Sequence, residues 1–179
     1  MNLLGIDFED WYHPELIQQH YQGSKKNPTV INGLDKILDW LQKNDTYATF
    51  FVVGDLLEFK PDMADKIIEQ GHEIAFHTMS HTRLDSAGFK EKFPEEIALF
   101  GKLTNGRSKG FRAPTFSLNE DTSWAIDVLS EGGYQYDSSV VPAKSRMYGI
   151  PNAEIKPYKI SSKSLGRNDP EASGPPAPA

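Results

Sequence analysis

Two histidines four positions apart, His77 and His81, follow the short apolar run Ile74-Ala75-Phe76. In a helical turn this spacing puts both imidazoles on one face, within reach of a single metal ion. Near the N-terminus, Leu3-Leu4-Gly5-Ile6 runs directly into Asp7, Glu9 and Asp10. Carboxylates crowded in this way repel one another, and a divalent cation among them relieves the repulsion. Two neutral nitrogen ligands and one carboxylate leave a coordination position open, which is the layout of a hydrolytic zinc centre. One acid can then ligate while a neighbour accepts a proton from water.

The other candidates each carry a plain structural reading beside a chemical one. A histidine pair at this spacing is also what two surface or capping residues look like. His72-Glu73 does not extend it to a zincin motif, because position 76 is Phe where a second histidine would be required. A third ligand therefore has to come from elsewhere in the chain. Arg112, in Gly110-Phe111-Arg112-Ala113-Pro114, is either a surface arginine or a bidentate partner that orients the base. Pro114 stiffens the turn after it. Asp137 is a turn residue or a further acid of the site. Trp11 and Tyr12 follow the acid cluster as core anchors or as a platform for a sugar ring. His13 and His20 read as surface residues.

The elements that would position these groups alternate. Strands are predicted over 3–8, 47–53, 72–76, 110–113 and 134–137. Helices are predicted over 30–43, 61–70, 94–103 and 119–129. The first helix carries Ile31, Leu34, Ile37, Leu38 and Leu41 at a helical period. The second opens at Pro61 and closes before Gly71, and the last stops at Gly132-Gly133. This order predicts a parallel sheet with helices outside, either open or rolled into a barrel. Both architectures place chemistry at the C-terminal strand ends. Asp7 to Asp10, His77, Arg112 and Asp137 all fall there. After Pro142 the regularity fades. Residues 1–165 read as one domain and 166–179, rich in Pro, Gly and Ala, as a disordered tail.

Composition narrows the partners. A chain of 179 residues with 38% hydrophobic content can bury one core. A net charge of -6 with no basic run excludes nucleic-acid binding of the usual kind. The absence of cysteine excludes disulfides, thiolate ligands and a cysteine nucleophile. No run approaches the ~18 apolar residues of a membrane span, and no signal-peptide pattern opens the chain. The expectation is a cytoplasmic chain as given, or a periplasmic one if a leader has been removed. Oligomeric state is left open.

Taken together, the motifs resemble a known family. They are Asp7-Phe8-Glu9-Asp10-Trp11-Tyr12-His13, Thr49-Phe50-Phe51-Val52-Val53-Gly54, Gly71-His72-Glu73-Ile74-Ala75-Phe76-His77 through His81, Gly110-Phe111-Arg112-Ala113-Pro114, and Gly133-Tyr134 through Ser139. The chain resembles the polysaccharide deacetylases of the NodB-homology class, carbohydrate esterase family 4, over residues 2–160. Within that class it is most similar to the branch associated with exopolysaccharide loci and exosortase systems. The resemblance implies a distorted (β/α) barrel, incomplete here at the C-terminus. It implies a divalent ion, most simply Zn2+, held by Asp10, His77 and His81. It makes Glu9 the catalytic base, with Asp7 as rival, Arg112 the arginine that holds the base, and Asp137 a later acid of the site. It assigns the Thr115 N–H to the oxyanion, and Trp11, Tyr12 and Pro114 to the substrate. The implied activity is removal of N-acetyl groups from an amino-sugar polysaccharide or oligosaccharide. The family also carries a later histidine that protonates the leaving amine, and no histidine follows His81 in this sequence. Two alternatives therefore stand beside the first. One is C–N hydrolysis of another substrate, such as a lipid-linked formamido sugar or a cyclic ureide. The other is a non-catalytic sugar- or metal-binding remnant.

Overall fold

Five short strands lie side by side in chain order, all parallel, in the computed structural model, which describes residues 3–20 and 27–172. They are β1 (Gly5–Phe8), β2 (Thr49–Val52), β3 (Glu73–Phe76), β4 (Gly110–Phe111) and β5 (Tyr136–Asp137). The helices between them are α1 (Glu15–Gln18), α2 (Leu34–Lys43), α3 (Asp55–Phe59), α4 (Met63–Glu69), α5 (Phe89–Leu103) and α6 (Trp124–Glu131). Sequential parallel pairing with a helical crossover each time is the expected α/β order.

Side chains alternate across each strand, so the register decides which residues share a face. Phe8, Phe50, Phe76 and Phe111 are fully buried on the helix-covered face. Phe8 meets Phe50 edge-on at 5.9 Å, and Phe76 and Phe111 pack on Phe93 and Phe100 of α5. Leu34, Leu38 and Leu41 form the buried stripe of α2. The opposite face is polar where it matters. Asp7 is in register with Phe51, and Phe51 with Ala75. Arg112 lies over the Phe51 ring at 3.9 Å on that same side.

Among the described residues β1 and β5 are the two edges of the sheet and do not pair. Leu3, just before β1, nevertheless lines the same cavity of about 800 Å³ as Tyr136 and Asp137 of β5. The two edges thus border one cavity, which residues 154–160 also line. No helix among the described residues is long and apolar enough to cross a membrane.

Three differences from the sequence reading have physical causes. Helix α5 begins at Phe89, five residues before Pro94, because Phe89 and Phe93 are buried beside Ile97 and Phe100. That packing outweighs the preference of proline for a first turn. Helices α1 and α3 were not anticipated, and at 4 and 5 residues they are too short to show a period. Residues 166–172 are not a free tail. Gly166 and Asn168 hydrogen-bond to Glu154, Asp169 N–H donates to the Lys159 carbonyl, and Leu165 before them is buried. Residues 173–179 of that segment lie outside the described residues.

Candidate metal centre

The chain leaves β3 at Phe76 and does not enter a helix. Residues 77–83 are irregular, and Thr78 and His81 both have φ of 58°. For residues other than glycine this left-handed conformation costs on the order of 1–3 kcal/mol and persists only where the surroundings impose it. The imposing contacts come from the neighbouring strand end. His77 N–H donates to the Val52 carbonyl at 3.1 Å, Gly54 N–H to the Thr78 carbonyl at 2.9 Å and Asp55 N–H to the Met79 carbonyl at 2.8 Å. Met79 N–H donates to the Glu96 carboxylate at 2.8 Å. The approach leaves little room for a side chain at 54, since a Cβ there would lie 2.2 Å from Met79 Sδ and 3.3 Å from Met79 Cα. The result sets the His77 and His81 rings 5.0 Å apart, edge to face. The expected convergence of the two histidines is present, and the expected helical turn is not.

Glu9 completes the group. One ligand atom from each of Glu9, His77 and His81 lies within 4.8 Å of the others, the one such cluster among the described residues. Glu9 Oε2 is 2.9 Å from His81 Nε2. Asp10, expected as the carboxylate ligand, points elsewhere. Its carboxylate is buried and accepts from the N–H groups of Trp11, Thr29 and Val30 and from the Thr29 hydroxyl. It caps the segment that leads into α2. Strand parity is the reason: Asp10 follows the side of buried Phe8, whereas Glu9 follows the side of Asp7.

The electrostatics favour ligation. His77 Nδ1 faces the Arg112 carbonyl at 2.6 Å. A carbonyl only accepts, so Nδ1 carries the proton and Nε2 keeps its lone pair. Burial pushes the His77 imidazole down to about 4, against the opposing pull of Asp7, so it is neutral at physiological pH. Burial raises the Glu9 carboxyl, but the His81 contact and the nearby imidazoles outweigh it, and Glu9 sits below its ordinary value. Glu9 Oε2 and His81 Nδ1 are buried and make no hydrogen bond of acceptable geometry, even though Glu9 stands 2.9 Å from the other imidazole nitrogen. A buried carboxylate oxygen left so is costly unless something else satisfies it. One carboxylate and two imidazoles suit a zinc-type divalent ion, and the residues fit that group.

Beside the cluster, Arg112 Nη1 donates to Asp7 Oδ1 at 2.6 Å. The contact is single rather than bidentate, because Nη2 donates to the Ser138 hydroxyl at 2.8 Å and Nε to the Ser138 carbonyl at 3.2 Å. Gly5 leaves room for the guanidinium, since a Cβ there would meet Nη2 at 2.9 Å. Asp7 and Glu9 thus separate into an arginine-bound acid and a histidine-bound acid. Asp137 does not join them. It accepts from Ser139 N–H and hydroxyl at 2.8 and 2.6 Å, and that hydroxyl accepts from Ala113 N–H at 2.8 Å. Burial pushes Asp137 up to about 6. It anchors the loop on which Ser138 holds Arg112.

Of the groups expected at substrate, Trp11 is 51% exposed, whereas Tyr12 is 2% exposed and Pro114 is buried. Tyr12 packs edge-on against Trp11 at 5.6 Å and Pro114 starts a tight turn, so both support the site from beneath. Thr115 sits in that turn with φ of 52°. His20 is exposed as expected. His13 is not: it is 0% exposed, with Nδ1 accepting from Asp10 N–H at 2.8 Å and Nε2 facing Asp55 Oδ2 at 3.1 Å. No local signal marks that pairing, which spans 42 residues.

The polysaccharide deacetylase family model matches residues 28–136, more than half of the chain, and the chain belongs to that family. The match contains His77, His81 and Arg112, while the β1 acids precede it. The peptidoglycan deacetylase-like protein FGM2 of Gibberella zeae is 29% identical over 147 residues, covering 79% of this chain and 42% of its own length. A chitooligosaccharide deacetylase of Bradyrhizobium is 40% identical over 98 residues, covering 52% of this chain and 42% of its own. The chain thus spans less than half the length of these relatives. A family 4 carbohydrate esterase from Streptomyces lividans, solved with acetate, has the same fold with a TM-score of 0.54. It is 20% identical, over 78% of this chain and 62% of that one.

Proposed function

We propose that the protein removes N-acetyl groups from an amino-sugar polysaccharide or oligosaccharide by metal-dependent amide hydrolysis. The observation that carries this reading is the pairing of two sites on one sheet face: the Glu9–His77–His81 cluster and, beside it, the Asp7–Arg112 pair. A divalent ion held by Glu9, His77 and His81, with Zn2+ the best match to the donor set, supplies a Lewis acid and an acidified water. Asp7 takes the proton from the attacking water and returns it to the nitrogen as the C–N bond breaks, so that acetate and the free amine result. Arg112, fixed by Ser138 and stacked on Phe51, holds the Asp7 carboxylate in place. The Thr115 N–H donates to the oxyanion that develops on the acetamide oxygen. Trp11 presents an exposed ring on which a sugar can stack. By resemblance to the exosortase-associated branch, the substrate class is an exopolysaccharide.

The test is acetate release from N-acetylglucosamine oligomers by zinc-loaded protein, with and without a chelator. Chelator-sensitive release is expected, and zinc-loaded protein that releases none overturns the reading.

A further inference from the structure

The candidate ligands lie on two loops, Glu9 after β1 and His77 with His81 after β3, and one pair of side chains, buried His13 and half-buried Asp55, joins them. Asp10 N–H donates to His13 Nδ1 at 2.8 Å, so that nitrogen is an acceptor and the proton sits on Nε2. Nε2 then donates to Asp55 Oδ2 at 3.1 Å. The backbone N–H of Asp55 donates to the Met79 carbonyl at 2.8 Å, midway between His77 and His81. Asp55 therefore grips the Glu9 loop with its side chain and the histidine loop with its main chain. Gln18 makes a parallel bridge, its amide donating to the His13 carbonyl at 2.6 Å and to the Ser80 carbonyl at 3.1 Å. The His13 ring lies 6.4 Å from the His81 ring at an interplanar angle of 21°. His13 is 0% exposed, so it touches no substrate.

We propose that His13 is a positioning residue: coupled to Asp55, it fixes the Glu9 loop against the His77–His81 loop at the separation one ion requires. The inference rests on the metal-site reading above. It follows the general behaviour of groups outside the ligand set, whose loss typically weakens metal binding by about 10–100-fold.

Two substitutions separate the two nitrogens of His13. In His13→Gln the amide nitrogen falls near the Nε2 position and keeps the donor to Asp55. In His13→Asn the amide oxygen falls near Nδ1 and keeps the acceptor for Asp10, but the bridge to Asp55 is lost. Co2+ titration of metal-free protein, followed by its visible absorption, reads affinity and geometry together. The expected result is tight binding by the unsubstituted chain and by His13→Gln. His13→Asn should bind about 10–100-fold more weakly, with an altered spectrum. If His13→Asn does not fold, Asp55→Ser removes the same bridge without touching the Glu9 segment, and the same loss is expected. Unchanged affinity and spectrum in the bridge-breaking variant would overturn the proposal, whatever its melting temperature. Equal losses in His13→Gln and His13→Asn would assign the effect to packing and overturn it as well. Failure of the unsubstituted chain to bind Co2+ would instead overturn the metal reading itself, and this inference with it.

Discussion

Asp7 and Glu9 project from the same side of the β1 chain, two residues apart, yet answer to different partners. Asp7 accepts from Arg112 Nη1 at 2.6 Å, while Glu9 stands 2.9 Å from His81 Nε2. Asp10, the next acid, is tied to the backbone of Thr29 and Val30. Three substitutions should therefore give three different phenotypes. Glu9→Gln should weaken zinc binding. Asp7→Asn should bind zinc normally and release acetate about 10²–10⁴-fold more slowly, the usual value of a general base. Asp10→Ala should lower unfolding stability by about 1–3 kcal/mol, by stranding buried N–H groups. Calorimetric zinc titration, acetate assay and urea unfolding read the three. Loss of zinc binding in Asp10→Ala with retention in Glu9→Gln would reverse the assignment.

Arg112 reaches Asp7 only by lying across Gly5 and the Phe51 ring. A Cβ at position 5 would stand 2.9 Å from Nη2 and 3.3 Å from Nη1. Gly5→Ala should push the guanidinium off Asp7 without touching any zinc ligand. The expected outcome is lower kcat with unchanged zinc affinity. Wild-type kcat in Gly5→Ala would mean that the Arg112–Asp7 contact is dispensable.

The pH dependence of stability, measured with chelator present, follows from three buried groups. Burial holds His77 down to about 4 and also lowers His72, whose Nδ1 is buried without a partner. Above the ordinary histidine value near 6.5 both states are neutral at these positions, and nothing is lost. As pH falls below it, the unfolded chain takes up protons that the fold refuses, and stability drops by up to ~1.4 kcal/mol per pH unit for each imidazole. Asp137 works the other way. Its carboxyl is raised from 3.8 to about 6, so the fold retains a proton that the unfolded chain gives up, and stability rises on acidification through that window. Between about 6 and 4 His77 and Asp137 oppose each other, so the lowered His72 tips the balance toward a loss on acidification below 6.5. His72→Phe should make that slope shallower and Asp137→Asn should make it steeper, by urea unfolding at several pH values. An unchanged slope in His72→Phe would show that His72 is not held neutral.

Much of this was legible in the residues. The strand order, the helices between strands and the gathering of Asp7, Glu9, His77 and Arg112 at strand ends follow from periodicity and from the rule that parallel sheets carry chemistry at that end. Which acid stands beside the histidines was also decidable in principle, because strand parity puts Glu9 with Asp7 and Asp10 with Phe8. That parity makes Asp7 a rival base beside Glu9, whereas the expectation of Asp10 as ligand came from the resemblance. What was not legible depends on long-range contact. His13 looks like a surface histidine until Asp55 arrives from another strand end, and Tyr12 looks like a platform until the fold covers it. The left-handed residues Thr78 and His81 have no glycine to announce them, and the Gly54–Asp55 backbone that holds the Thr78–Met79 part of the loop comes from another strand end.

Trp11 follows the two acids directly and is 51% exposed, with its ring edge-on to buried Tyr12. Its backbone N–H donates to Asp10. Trp11→Ala keeps that donor and removes the exposed ring, and with it contact area for a sugar. A ring contact of this kind is worth about 0.5–1.5 kcal/mol, which is roughly a two- to twelve-fold change in affinity. Trp11→Ala should accordingly raise KM for N-acetylglucosamine oligomers by that factor and leave kcat and zinc affinity unchanged. Loss of binding shared by ground state and transition state has that signature. Trp11→Phe should recover part of the loss. A fall in kcat at constant KM would mean instead that Trp11 acts on the reacting geometry, through the Glu9–Asp10 turn, and that the sugar stacks elsewhere.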